Sequence, residues 1–412
     1  MFEALIAAAG LQDIHEKVEA GERLSADDGR RLYRNGNLPA IGYLANLVRE
    51  RMHGDRVYFV RNQHLNYTNI CNKSCLFCSF YALPKDPEGY VLSPDDIRER
   101  METYAEIPIS EIHMVGGVNP KLPYDYYLDI VRVIKEVRPG VSLKAYTMIE
   151  LEQIRRIGKK SMAETLVDLK EAGVDALPGG GAEVFSERVH EELFQAKSDS
   201  DKWLETARVA HEVGLPSNAT MLYGHVEQTE EKVYHLIKLR ELQDETNGLL
   251  AFIPLSWHPE RTAIEHLPGP TGQMDLREIA VARLMLDNVP HIKSFWIMNT
   301  PAVTQVSLWY GADDMDGSVL EYEITRNPIT DRMQALTHTQ MLDMISESGR
   351  QPVERDALYH IVDRPETIRP AYMETANGTE ANEAKTAAAT AGAEAAGAEV
   401  AGAKAAATPS QG

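Results

Sequence analysis

Cysteine is nearly absent: the 412 residues hold three, and all of them fall between positions 71 and 78. An odd number in one short stretch argues against a disulfide framework. With no signal peptide read at the start, the thiols are expected to be reduced and the compartment cytoplasmic. Long apolar runs are missing too. None approaches the roughly 20 residues that span a bilayer, so no membrane partner is expected. Basic charge is in deficit, with 42 Lys and Arg against 62 Asp and Glu for a net −20. That balance argues against non-specific binding to nucleic acid or an anionic membrane, though not against an anionic small molecule in a locally basic pocket. Hydrophobic residues at 43% and charged residues at 25% are ordinary for a soluble globular chain.

What is present is the run Cys71-Asn-Lys-Ser-Cys75-Leu-Phe-Cys78. Inert core cysteines would be scattered along core elements rather than gathered in eight residues of a polar loop. A structural zinc ion wants four ligands, usually as two paired half-sites, and no second Cys-x-x-Cys or Cys-x-x-His exists here. His64 or His113 could complete such a site, so zinc stays open as the alternative. A four-iron, four-sulfur cluster that only carries electrons takes a thiolate on each iron. Three thiolates leave one iron free to bind another molecule, which turns a carrier into a catalyst. The three-then-two spacing with an aromatic, Phe77, before the last cysteine resembles the signature of the radical S-adenosylmethionine (SAM) superfamily. The resemblance implies a [4Fe-4S] cluster on Cys71, Cys75 and Cys78, with SAM on its open iron.

Along the chain, residues 1–55 read as a helical region. Ser25 precedes Asp27 and Asp28, and Ile41, Leu44 and Val48 repeat at helical spacing after Leu38-Pro39. From position 56 short apolar runs alternate with amphipathic segments: Val57–Val60, Leu65–Ile70, Ile112–Val115, Val141–Tyr146, Ala176–Leu177, Ser217–Tyr223, Leu249–Ile253 and Ser294–Met298. Pro123, Ser161 with Glu164, and Thr229 mark helix starts between them, and Pro139-Gly140, Gly173 and Asn247-Gly248 mark stops. Strands separated by helices predict a parallel sheet with crossovers. Glycines cluster just after the strands, which favours a TIM-like barrel with its site at the strands' carboxyl ends; a doubly wound sheet is the alternative. The expected class is α/β, a partial or complete radical SAM barrel over 56–310. A C-terminal extension over 311–370 would pack on it, and an Ala/Gly/Glu-rich disordered tail would fill 371–412.

Several strand-end groups are candidates for the site. Gly116-Gly117 stands where radical SAM proteins present backbone to the SAM amino group, but Val118 replaces the glutamate common there. Glu183, closing Gly179-Gly180-Gly181-Ala182-Glu183, could accept from a ribose's hydroxyls, or could equally be a solvent-facing first-turn glutamate. Met221 and Tyr223 in the Ser217–Tyr223 run would lie near adenine, or in the core. In Ser256-Trp257-His258-Pro259-Glu260-Arg261, Arg261 suits a substrate carboxylate. His258 beside it and His64 and Asn66 ahead of the cysteines are further substrate candidates, although a structural hydrogen bond is the commoner role of a lone histidine. Asp314, Asp316, Gly317 and Glu323 fit a calcium-loop spacing in part, but Ala312 takes its first position and calcium is discounted.

Six runs together resemble the aminodeoxyfutalosine synthase family, radical SAM enzymes of the futalosine route to menaquinone. They are His64-Leu-Asn-Tyr-Thr-Asn69, His113-Met-Val-Gly-Gly-Val-Asn119, Pro178-Gly-Gly-Gly-Ala-Glu183, Pro290-His-Ile-Lys293, Gly311-Ala-Asp-Asp-Met-Asp-Gly317 and Gly349-Arg-Gln-Pro-Val-Glu-Arg-Asp-Ala-Leu-Tyr359. The likeness runs from about Glu16 to Val362. Cyclic dehypoxanthine futalosine synthases and deazaflavin-cofactor synthases share part of it, with glycine expected where this chain has Asp316. The resemblance implies addition of a 5′-deoxyadenosyl radical to 3-[(1-carboxyvinyl)oxy]benzoate, giving 6-amino-6-deoxyfutalosine. It also implies SAM as cosubstrate and an outside one-electron donor such as flavodoxin or ferredoxin. A plain electron carrier and a zinc-stabilised binding protein are the readings from other classes.

Overall fold

The computed structural model of the chain describes residues 2–317, 320–325 and 336–364. Helices Phe2–Ala9, Gln12–Ala20, Ala26–Arg34 and Leu38–His53 come first. Ser25 caps the third through a reciprocal box with Asp28, so the acids of its first turn both satisfy backbone donors and offset the helix dipole. The fourth begins at Asn37, whose side chain accepts from Ala40 N, and carries Pro39 where a missing N–H costs nothing. Ile41, Leu44 and Ala45 are fully buried, on a helix that packs against Gly272–Met285.

Among the described residues nine parallel strands follow: β1 Arg56–Phe59, β2 Asn62–Leu65, β3 Glu111–Met114, β4 Ser142–Ala145, β5 Ser217–Tyr223, β6 Leu249–Ser256, β7 His291–Ser294, β8 Asp314–Met315 and β9 Gln351–Glu354. One ladder runs β2-β3-β4, and the other β5-β6-β7-β8-β1-β9. Two bridges join them, Lys144 to Ala176 and Leu177 to Ser217, so the short run at 176–177 acts as a strand between β4 and β5. β1 and β2 are nearly continuous. The first half pairs with β8 and the second with β3, and a bridge from Gln63 to Leu320 closes the ring. The architecture is a parallel α/β barrel with helices outside, as the alternation of strands and helices implied.

Three expectations are corrected. The barrel does not end at residue 310, because β8 sits in its wall and β9 pairs with β1; Asp314–Met315 and Gln351–Glu354 are strands of the sheet rather than an extension laid over it. The apolar run Ser294–Met298 is a strand only through Ser294, after which Trp296–Asn299 is a helical turn. An all-apolar run carries no periodicity to separate the two. Leu65–Ile70 is likewise mostly not a strand: β2 ends at Leu65, and the rest is loop with single bridges from Thr68 to Val91 and Ile70 to Ala82. The helix starts at Pro123, Ser161 and Thr229 match Tyr124–Val137, Met162–Ala172 and Thr229–Thr246. Residues 371–412, expected to be a disordered tail, lie outside the described residues.

Candidate active site

The cysteine loop leaves the carboxyl end of β2 and is pinned by main-chain bonds on every side. Cys71 N donates to Ala82 O at 3.0 Å, Asn72 N to Val118 O at 3.1 Å, and Leu76 N to Leu193 O at 3.0 Å. Ala263 N donates to Leu76 O at 2.9 Å. The end of β3 passes directly beneath. A Cβ on Gly117 would lie 2.5 Å from Ile70 O, and one on Gly116 2.7 Å from the Tyr67 ring, so both positions need glycine for close approach. Gly116 N donates to Glu150 Oε1 at 3.0 Å, and Tyr67 Oη donates to the same oxygen at 2.7 Å. The family's usual carboxylate is missing at Val118, yet Glu150 brings one to this turn from the first helical turn of Met148–Gly158. Sequence spacing gave no sign of it.

All three cysteines are free, with Cys75 buried and Cys71 and Cys78 half-buried. Burial pushes the Cys75 thiol up to about 12 and raises Cys78 as well, while Lys197 pulls both down. Thiols so placed need a positive partner to become thiolates, which is what iron supplies. Three unpaired sulfurs on one tied loop, with an ammonium nearby, fit a cluster held by three residues. Among the described residues, the group able to gather round a single ion is His53, His291 and Asp313, and it contains no cysteine. His64 and His113, the histidines that could have completed a zinc site, are engaged instead with Asn62 and Glu111.

Beside the loop lies a cavity of about 240 Å³. Of the sequence-derived candidates, His64, Phe77, Cys78, Glu183 and His258 line it. Glu183 sits at a left-handed φ of 51° and pairs with Lys197, whose ammonium also lies 5.1 Å from the centre of the Phe77 ring. His258 Nε2 lies 3.0 Å from Met298 O. Other candidates are not among its lining. Asn66 is spent on the loop, donating to Val115 O at 3.0 Å and accepting from Glu323 N at 3.3 Å. Met221 and Tyr223 are corrected by strand parity: alternate side chains of β5 face opposite ways, and Thr220 and Leu222 are the ones in the cavity. Tyr223 Oη instead donates to Asp275 Oδ1 at 2.7 Å. Arg261 is also outside the lining, 50% exposed and 4.0 Å from Glu88, so it is not placed to meet a ligand there.

The floor also holds Lys293 and Tyr322, which the candidate set passed over. Lys293 on β7 donates to Asp316 Oδ1 at 2.7 Å. His64 stacks on His113 with ring centres 4.8 Å apart, and Tyr322 meets His64 edge-on at 5.2 Å. Burial pulls the His64 imidazole down to about 3, keeping it neutral. Below them Arg355 makes paired bonds to Asp314 at 3.1 and 2.7 Å, and Lys144 meets Glu111 at 3.1 Å. Burial would raise the Asp316 carboxyl, but the Lys293 charge holds it below its ordinary value. Asp314 and Asp316 of the calcium-like spacing are thus committed to cations of the barrel. Strand alternation across Pro290-His-Ile-Lys293 was the signal that could have found Lys293.

Residues 65–240 match the radical SAM superfamily model, and residues 246–368 match the CofH/MqnC C-terminal region. The chain is 45% identical over 353 residues to the aminodeoxyfutalosine synthase of Thermus thermophilus, covering 85% of this chain and 95% of that one. The chain belongs to the aminodeoxyfutalosine synthase family. It is also 39% identical over 379 residues to the enzyme of that name from Streptomyces coelicolor, covering 89% and 98%. A crystal structure of methylornithine synthase superposes with a TM-score of 0.66 at 19% identity, over 82% of this chain and 96% of that one, a likeness of fold. Membership of the radical SAM superfamily implies a [4Fe-4S] cluster and SAM in general terms. Among the described residues no helix is long and apolar enough to cross a membrane.

Proposed function

We propose that this chain joins the adenosyl group of SAM to the vinyl carbon of 3-[(1-carboxyvinyl)oxy]benzoate. Aryl migration and loss of the carboxyl carbon then give 6-amino-6-deoxyfutalosine. The observation that carries the reading is the opening of the cysteine loop, through Cys78 and Phe77, onto a largely apolar cavity, in a chain similar over 85% of its length to a synthase of this name. When bound, the cluster and SAM supply a 5′-deoxyadenosyl radical, the hard part of the chemistry. Cys71, Cys75 and Cys78 would hold the cluster. Gly116 and Gly117 would bring main chain close to the SAM amino group, and Glu183, steadied by Lys197, would accept from its ribose hydroxyls.

The walls do the shielding. Leu222, Ile253, Leu255, Trp257, Phe295 and Met298 surround the space with apolar surface, which keeps water from a reactive intermediate. Asp316 stands in this lining, at the position where the cyclase and deazaflavin relatives are expected to carry glycine. A one-electron donor of the flavodoxin or ferredoxin kind would reduce the cluster from outside. The test is anaerobic reconstitution with iron and sulfide, then dithionite, SAM and the enol ether, with products read by mass spectrometry. An adenosyl adduct with methionine released is expected. Methionine and 5′-deoxyadenosine alone would overturn the substrate assignment, and failure to cleave SAM would overturn the radical reading.

A further inference from the structure

The substrate proposed above carries two carboxylates, and Arg261, the cation first suggested for one of them, is not part of the cavity. Among the described residues that line the cavity, Lys293 carries the one formal positive charge. Its side chain is 2% exposed, and Asp316 Oδ1 at 2.7 Å is its close partner, with Asp314 Oδ2 at 4.0 Å. An ammonium has three donors, so the close pair leaves N–H capacity unspent.

His64, on the neighbouring wall, is short of a partner as well. Asn62 Nδ2 lies 3.3 Å from His64 Nε2, and an amide nitrogen only donates. With the amide in this orientation Nε2 accepts, and the neutral ring carries its proton on Nδ1. That Nδ1 is buried with no hydrogen-bond partner. A buried donor left unmade is costly in the empty fold and becomes favourable when a ligand acceptor reaches it. His64 and Lys293 line the same cavity, and Phe295 and Tyr322 wall it beside them.

We propose that Lys293 and the His64 Nδ1–H form a carboxylate subsite at the cavity floor, with Asp316 as the positioning residue for the ammonium. Resting on the function proposed above, the subsite takes the aryl carboxylate of the substrate. His64 and Lys293 lie within β2 and β7, whereas Phe77 and Cys78 belong to the loop beyond the strand ends. The double bond has to lie on the cysteine side, so the ring-borne carboxylate is the one that reaches inward. Asp316 fixes the ammonium's direction and keeps the floor neutral until an anion arrives.

The first test needs no mutation. Isothermal titration of the reconstituted full chain with 3-methoxybenzoate and its neutral isostere 3-methoxybenzamide should show the acid binding at least about tenfold tighter, since a charge-assisted pair is at stake. Equal binding, or tighter binding of the amide, overturns the subsite whether or not the proposed reaction is right. The second test compares the full substrate with 2-phenoxyacrylate, which lacks the ring carboxylate. Lys293→Met should raise KM for the full substrate by roughly 30- to 100-fold and change that for 2-phenoxyacrylate by less than about threefold. Asp316→Asn should raise the same KM by about fivefold with kcat less affected, and Asp316→Glu should recover part of it. Equal losses on both substrates would overturn the assignment. A wild-type chain that prefers the acid yet forms no adduct would leave the subsite standing and refute the proposed reaction.

Discussion

At the amino ends of the strands, buried polar side chains are turned on one another. His291 Nδ1 lies 2.6 Å from Asp313 Oδ2, Asp313 Oδ1 accepts from Ile292 N at 2.8 Å, and His53 Nε2 lies 2.9 Å from Pro290 O. The His53 and His291 rings stack at 5.0 Å, and Tyr359 stacks on His291 at 3.9 Å. At the carboxyl ends, similar residue types are left with capacity to spare. His64 Nδ1 has no partner, and the three thiols form no disulfide. Histidine, carboxylate and cation occur at both ends, so residue type alone does not mark function. The distinguishing feature is whether the fold itself completes the hydrogen bonds. The His53, His291 and Asp313 cluster is bonded within itself and contributes stability, while His64 and the cysteine loop keep capacity for a ligand.

The largest effect expected from breaking this contrast is at the open end. Cys75→Ala should lower iron retention and cut SAM cleavage by roughly 10³-fold or more, measured by iron content and methionine release, because no fourth cysteine can substitute. Full activity would refute the cluster assignment. The fold should survive, since an empty ligand position is not what holds the barrel.

Between the two ends lies the buried ladder, where Arg355 meets Asp314 through two bonds with both side chains fully buried. Arg355→Met leaves Asp314 buried without its bidentate partner, which should cost about 3–5 kcal/mol in urea unfolding. An unchanged urea midpoint would mean that Lys293 and Tyr359 satisfy Asp314 by themselves.

The closed end predicts a pH effect. Burial alone would raise the Asp313 carboxyl, but His291, His53 and Arg283 draw it down to about 2 from an ordinary 3.8. A depressed carboxyl contributes stability that is fully present above its unfolded value and lost as pH falls through the folded one. Wild type should therefore lose about 2 kcal/mol from this group between roughly pH 4 and pH 2, a slope that Asp313→Asn removes. Parallel acid-unfolding curves for the two would refute this account.

The smallest effect tests the correction at the cavity edge. Arg261→Ala should change KM for the enol ether by less than about threefold, because exposed charge pairs contribute little and Arg261 is absent from the lining. A large KM increase would restore it as a substrate contact.

Much of the fold was legible before the structure, for local reasons. Ser25 and Ser161 announce helices because a short hydroxyl side chain satisfies a first-turn N–H, and both boxes form as spaced. The cysteine loop was legible because all three cysteines fall in one short reach of chain. What misled was parity and register. Met221 and Tyr223 belong to the right strand on the wrong face, since a shift of one residue exchanges inside for outside. Arg261 follows the right strand on a loop whose direction no spacing records.

The sequence by itself determined the ligand chemistry, the alternation of strand and helix, and the family, because each is a matter of residue type at short separation. Only the tertiary structure decided where the barrel closes, with β8 and Leu320 returning to β1 and β2 from more than 250 positions away in the chain. It also brought Glu150 to Gly116 and set Lys293 against Asp316 beside His64. Those pairings depend on how strands align around a closed ring, and ring closure is set by the packing of the whole core rather than by any stretch within it.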